Sequence, residues 1–264
     1  MRAMDDDREA ATGDKKTRRQ AQLLAHLHDN HYISIEEITE MFGVTTQTAR
    51  RDIMALEQEG KVRRLHGGAT IATPVDPAIY RQRRVDNAAL KERIGQLTAD
   101  LVADGAAVFL DTGTTCEAVA RGLLRRRDLR VVTYSLRVAT TLSESSNFAV
   151  AVPGGFVRQV DGGVFREETA DYIRKFKFDV AIISVSGIDQ DGDIGDDDHA
   201  EVAAVSAAMR QAERVILAVD SSKFDRRALV RLASLADIDA LVTDELPNER
   251  LVALLREHGV SIHC

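Results

Sequence analysis

Only two cysteines occur in the 264 residues, Cys116 and Cys264. They match no metal-ligand spacing and no disulfide framework, so a reducing cytoplasm is the expected setting. No apolar run reaches the roughly 20 residues that a membrane-spanning helix needs. The first sixteen residues, MRAMDDDREAATGDKK, lack the apolar core of a secretion signal and are expected to be a disordered tail. An excess of positive charge is missing too: 35 Lys+Arg face 42 Asp+Glu, a net charge of −7, which excludes a wholly basic nucleic-acid coat. There is no Walker loop, no GxGxxG fingerprint and no repeat of 20–50 residues, and no cofactor or metal is implied.

What the chain does have begins at Ser34–Ala69. Ser34 and Glu37 have the S-x-x-E spacing of a capping box, with Ile33 and Ile38 placed as a hydrophobic staple. A short helix follows, with Ile38, Met41 and Phe42 expected on its buried side, and Gly43 suits a left-handed end. Thr45 can cap a second helix whose inner face is Ala49, Ile53 and Leu56. At about 100° per residue, Gln47, Arg51, Met54 and Gln58 point the other way, flanked by Thr46, Thr48 and Arg50. Gln pairs with adenine and Arg with guanine in the major groove, so the pair of helices reads as a helix-turn-helix. Lys61–His66 reads as a basic strand and Gly67-Gly68 as a turn; Arg63, Arg64 and His66 are then a wing along the phosphates. The plainer reading, an amphipathic hairpin with solvated arginines, does not account for cap, turn, outward row and basic strand together. Charge supports the same division. Lys15–Thr70 carries nine Lys+Arg against seven Asp+Glu, a balance of +2, while the rest of the chain is at −9.

An earlier helix, from about Thr17 to Asp29, places Leu23, Leu24 and Leu27 inward, and Lys15, Lys16, Arg18 and Arg19 are either phosphate contacts or a solvated helix start. The prolines Pro74 and Pro77 mark a linker. From Ala106 onward, short apolar runs (AAVFL, LRVVT, FAVAV, DVAIISV, RVILAV, DALVT) alternate with helical segments, the pattern of a Rossmann-like parallel sheet covered on both faces. The expected boundaries are tail 1–16, winged helix-turn-helix 17–72, linker 73–88 and α/β domain 89–264.

In such sheets ligands bind beyond the carboxyl ends of the strands. Asp111-Thr112-Gly113-Thr114-Thr115 follows the first strand and opens a helix, where glycine, hydroxyls and the helix start favour an anion; an Asp/Thr helix cap is the alternative. Tyr134-Ser135, Gly154-Gly155, the turn containing Gly187, and Asp220–Lys223 follow later strands. Lys223 is the candidate counter-charge for a phosphate, or else a solvated loop lysine.

At VTTQTARRDIMALEQEGKVRRLHGGA the chain resembles the DeoR family of bacterial transcription regulators, and DTGTT, VVTYSL, PGG, DGG, SGID-x-DG and VDSSKF continue the likeness. The resemblance implies a C-terminal sensor domain similar to sugar-phosphate isomerases, with glycerol-3-phosphate or a sugar phosphate as effector. It also implies a double-stranded DNA operator, a homo-oligomer (dimer or tetramer) and repression of sugar or glycerol catabolism genes relieved by the effector. The effector-binding residues carried over are Asp111–Thr115, Tyr134, Ser135, Gly154, Gly155, Gly187, Glu201 and Lys223. Four features depart from the family pattern. Tyr134 stands where Asn is usual, Arg166 where Gly is usual, and Val205 where Lys is common. Asp193 and Asp196–Asp198 crowd the segment before Glu201, and that acidic loop repels a phosphate unless it faces solvent or a cation. Arg166 either replaces the missing cation or obstructs the pocket. Two other functions remain open at this level. One is an isomerase with a DNA-binding head, using Asp111, Asp220, Glu201 and Lys223 for acid/base chemistry; the other is a DNA-binding regulator that needs no effector.

Overall fold

The computed structural model describes residues 16–27, 32–58, 62–65, 67–71, 77–165 and 168–264. The chain divides into two compact units, residues 1–75 and 76–264.

In the first unit residues 16–27 are helical (α1). Strand β1 (Tyr32–Ser34) leads into helix α2 (Ile35–Phe42), and helix α3 (Thr46–Gln58) is followed by β2 (Val62–Leu65) and β3 (Gly68–Ile71). The capping box forms: the Glu37 N–H donates to Ser34 Oγ at 3.1 Å and the Ser34 N–H to Glu37 Oε2 at 2.7 Å. Gly43 ends α2 at φ 60°, a conformation that a Cβ disfavours. Thr45 Oγ1 accepts from the Thr48 N–H at 3.2 Å and starts α3. The strands pair antiparallel in the order β1-β3-β2. Leu23, Leu27, Ile33, Ile38, Ala49, Ile53, Leu56 and Val62 close one apolar core. Met41, expected inside, is 48% exposed; Ile38 and Phe42 already cover the narrow face that the two turns of α2 offer.

The second unit runs α4 (Pro77–Val85), α5 (Ala88–Asp100), β4 (Ala107–Leu110), α6 (Thr114–Leu123), β5 (Arg130–Val132), α7 (Leu136–Ser145) and β6 (Ala149–Ala151). Next come β7 (Phe156–Val157), β8 (Val164–Phe165), α8 (Thr169–Ile173), β9 (Phe178–Ile183), β10 (Gly187–Ile188), β11 (Asp193–Asp196) and α9 (His199–Met209). The chain closes with β12 (Ala212–Ala218), β13 (Val230–Ser234), β14 (Ala240–Val242), α10 (Glu249–Glu257) and β15 (Ser261–His263). Seven strands form one parallel sheet in the order β15-β14-β12-β9-β4-β5-β6. Strand alternation sorts their side chains. Phe109, Ala181, Ile183, Leu217 and Leu241 face the core under α8, α9 and α10. Val108, Leu110, Val180, Ile182, Ile216 and Val242 face the core under α5, α6 and α7. Both faces are thereby covered, as parallel sheets require.

The chain winds outward from β4 through β5 and β6, then returns to the other side of β4 through β9. The topological switch point therefore lies between the carboxyl ends of β4 and β9. Three features lay outside the sequence reading: the antiparallel sheet β10-β11-β13, the hairpin β7-β8 and strand β15. Another is α4, which occupies 77–85 of the stretch read as linker; its Tyr80 is buried in the second unit.

Helices α5 and α6 meet at glycines. A Cβ on Gly95 would stand 2.5 Å from the Ala118 carbonyl oxygen, inside backbone contact distance. Gly95→Ala is expected to destabilise the second unit by about 1–3 kcal/mol, the usual cost of overpacking. Urea denaturation of the full chain measures this, and an unchanged midpoint would mean that the two helices separate at no cost.

Candidate functional site

Helix α3 presents Thr46, Gln47, Arg50, Arg51 and Met54 to solvent, with Thr48 half-buried. Ala49, Ile53 and Leu56 hold the opposite face in the core. Asp52 was not foreseen: it is buried on α3, accepts from Arg19 Nε at 2.6 Å and Gln20 Nε2 at 3.3 Å, and so locks α1 onto α3. That bond engages Arg19, one of the cations read as a possible phosphate contact. Arg63 and Arg64 lie on β2, paired to Thr70 and Ala69 of β3. His66 lies outside the described residues.

The carboxyl edge of the large sheet gathers most of the expected pocket residues. Asp111 leaves β4 at the switch point and is buried. Its Oδ1 accepts from the Thr112 N–H at 2.7 Å and from the Tyr134 hydroxyl, and its Oδ2 accepts from the Ser184 N–H at 3.1 Å, just beyond β9. Burial pushes its carboxyl up to about 7, against the lowering effect of these hydrogen bonds. Gly113 takes φ 105° at the start of α6. The first-turn N–H groups of α6 have no carbonyl one turn back, and the buried Thr112 Oγ1 has no hydrogen-bond partner among the described residues. Thr114 and Thr115 are buried in the same turn. An anion with acceptor oxygens would satisfy these donors.

Other expected residues have structural work of their own. Tyr134 is fully buried, its ring 5.1 Å from Phe165 and 6.0 Å from Phe109. Ser135 Oγ caps α7 by accepting from the Val138 N–H at 3.4 Å. Gly154 and Gly155 are exposed in the loop before β7. Gly187 is buried in β10, where a Cβ would collide with the Arg226 carbonyl. Val205 is buried in the apolar core under α9. Arg166 lies outside the described residues.

The acidic segment before Glu201 faces cations. Arg158, in the β7-β8 hairpin, bonds Asp161, Asp198 (3.0 Å) and Glu201 together and lies over the Phe165 ring at 4.6 Å. Asp197 pairs with Arg226 at 3.1 Å and Asp193 with Arg231 at 2.8 Å. Asp196 accepts from Ser186 Oγ at 2.9 Å and from the Asp197 N–H at 2.7 Å. Burial, then the neighbouring Asp196, hold the Glu201 carboxyl well above the usual range although Arg158 opposes them. Arg158 is the residue that sequence reasoning missed; its only signal was its place three residues before Asp161.

Lys223 follows β12, its N–H donating to the Asp220 carbonyl at 3.1 Å. Burial and then the like charges of Arg83 and Arg226 depress its ammonium to about 8. Asp220 is buried beside Lys91 at 3.8 Å. Burial would raise its carboxyl, but the Ser222 hydrogen bond and the charges of Lys91 and Lys223 outweigh it and lower it.

Asp111 makes a pH-dependent contribution to stability. Between about pH 4, its unfolded value, and its folded value of about 7, the folded chain holds a proton that the unfolded chain has lost. Stability from this group therefore falls as pH rises through that window and levels off above it. Asp111→Asn should remove a slope of up to about 1.4 kcal/mol per pH unit. Urea midpoints of both chains across the window measure it, and parallel profiles would mean that Asp111 is ionised throughout.

The DeoR-like helix-turn-helix domain matches residues 19–75, and the DeoR C terminal sensor domain matches residues 86–245. The glycerol-3-phosphate regulon repressor of Escherichia coli (strain K12) is 36% identical over 94% of this chain and 98% of that protein. The HTH-type transcriptional repressor GlcR of Bacillus subtilis (strain 168) is 33% identical over 91% of this chain and 93% of that protein. Among solved structures, a ribose 5-phosphate isomerase from Methanocaldococcus jannaschii aligns with a TM-score of 0.40 and 15% identity over 52% of this chain and 55% of that one. The chain belongs to the DeoR family, carrying both its helix-turn-helix and its sensor domain, and is a transcription regulator rather than an enzyme.

Proposed function

We propose that this chain is a cytoplasmic, homo-oligomeric repressor of sugar or glycerol catabolism genes that leaves its operator when a phosphorylated effector binds the second unit. Glycerol-3-phosphate is the first candidate, given the regulon named for the Escherichia coli relative. The observation that carries the effector reading is the anion-ready start of α6, where the buried Thr112 hydroxyl lacks a partner among the described residues. Lys223, from the loop after β12, supplies positive charge at the same sheet edge. The carboxyl groups of Asp111 and Glu201 at the same edge are hydrogen-bond acceptors that suit the hydroxyl groups of a polyol phosphate. Effector binding would favour the arrangement of the oligomer in which the heads no longer match the operator half-sites.

On DNA, the exposed row of α3 reads bases and the β2 strand follows the backbone. Gln47→Ala or Arg51→Ala should relax preference at one base pair per half-site, by about 1–3 kcal/mol. Arg63→Ala should instead weaken all sequences alike and flatten the salt dependence. Binding titrations on operator variants at two salt concentrations separate the two effects. Unchanged discrimination in both α3 variants would rule out this face as the reader.

For the effector, Thr114→Val and Lys223→Ala should each weaken binding of glycerol-3-phosphate at least about tenfold, the loss of one charge-assisted contact. Calorimetry on the full chain measures affinity, and operator release on addition of effector measures the response. Undiminished binding in both variants would remove these residues from the pocket.

A further inference from the structure

Helix α3 is held from behind. Ala49, Ile53 and Leu56 lie in the apolar core of the first unit, and the buried Asp52 carboxylate is bonded to Arg19 and Gln20 of α1. The outward face is polar with one exception. Met54 is 45% exposed, the one large apolar side chain of α3 that faces solvent among the described residues. Its place on that face is central. At about 100° per residue, Met54 lies about 20° round the helix from Gln47, two turns earlier. Arg50 and Arg51, both exposed, flank it one turn back at i−4 and i−3.

We propose that Met54 is a specificity-determining residue that reads the C5-methyl group of a thymine in the major groove. This rests on the reading of α3 as the base-reading helix. A duplex seated on Gln47 and Arg51 also covers Met54, which shares their face, and takes its side chain out of water. The base edges in the groove carry donors and acceptors at every pair, and only thymine adds an apolar group there. A thioether donates no hydrogen bond and accepts only weakly, so it cannot answer those polar edges; it gains by covering a methyl. Three rotatable bonds give it the reach and the freedom to settle against one. The flanking guanidinium groups disfavour an apolar protein partner on this face. Such a partner would strip both of water with nothing in return, whereas a duplex offers them guanine edges and phosphates. Met41 of α2, 48% exposed, is the other exposed methionine of the first unit and lies off the α3 face.

The probe is the tightest-binding duplex that the full parent chain selects from a random pool, with each thymine replaced in turn by uracil. Uracil lacks only the methyl group and keeps both the pairing and the O4 acceptor. Binding titrations compare the parent chain with Met54→Ala, Met54→Leu and Met41→Ala. The parent should lose about fourfold in affinity at one thymine per half-site, the worth of one buried methyl group. Met54→Ala should show no penalty at that thymine. Met54→Leu, which restores apolar bulk, should show it again, and Met41→Ala should show it in full. A parent chain with no methyl-sensitive thymine, or a penalty that survives in Met54→Ala, would overturn the proposal. Gln47→Ala and Arg51→Ala on the same duplexes tell the two failures apart. Relaxed base preference there, with the methyl penalty intact in Met54→Ala, would remove Met54 alone and leave α3 as the reader. Unchanged preference in both would remove the whole face, Met54 included.

Discussion

A single buried carboxyl group anchors the carboxyl edge of the second unit. Asp111 accepts hydrogen bonds from Thr112 on its own loop, Ser184 beyond β9 and Tyr134 beyond β5. Those are the three segments that meet at and beside the switch point. An unpaired carboxylate at this depth would cost several kcal/mol, so the three donors are a requirement of burying it at all. The result is a fixed loop at the start of α6, where the buried Thr112 hydroxyl has no partner among the described residues.

Charge around that loop is sorted by long-range pairing. Arg158 gathers Asp161, Asp198 and Glu201, while Arg226 and Arg231 take Asp197 and Asp193. Asp193, Asp197 and Asp198 of the acidic segment before Glu201 are therefore each paired with a cation. On the β12 side the balance reverses, and Lys223 stands among like charges. The carboxyl edge of the sheet thus has a cationic corner and a carboxyl-lined corner, the polarity on which the proposed effector reading draws.

Helix α4 brings the same economy to the chain between head and sensor. Tyr80 and Arg84 meet Glu117 on α6, and Lys91 donates to the carbonyls of Arg83 in α4 and of Asp86 just after it. Burial and the neighbouring Glu117 raise the Tyr80 phenol far above its ordinary value, so it remains a neutral donor at any physiological pH. These bonds make α4 part of the second unit, where proline content alone suggested a linker.

The features legible in the sequence are those that neighbouring residues decide. Ser34 and Glu37 cap a helix because they are three residues apart, and Gly43 ends it because only a residue without a Cβ adopts that φ freely. The alternation of short apolar runs and helices specifies a parallel sheet covered on both faces, and the loops after its strands must share one edge. The family motifs added the likeness to a sensor domain. What the tertiary structure decided is which distant groups meet. Asp52 finds Arg19, Glu117 finds Tyr80, and Arg158 finds Glu201 across separations of 33, 37 and 43 residues. No periodicity records such pairs, because a buried charge requires a partner without specifying where in the chain it lies. For the same reason the sequence did not show that Tyr134 and Ser135, expected as ligand contacts by position after a strand, also bond Asp111 and the start of α7. A sequence pattern places a residue on an edge; only packing determines which atoms have already spent their hydrogen bonds.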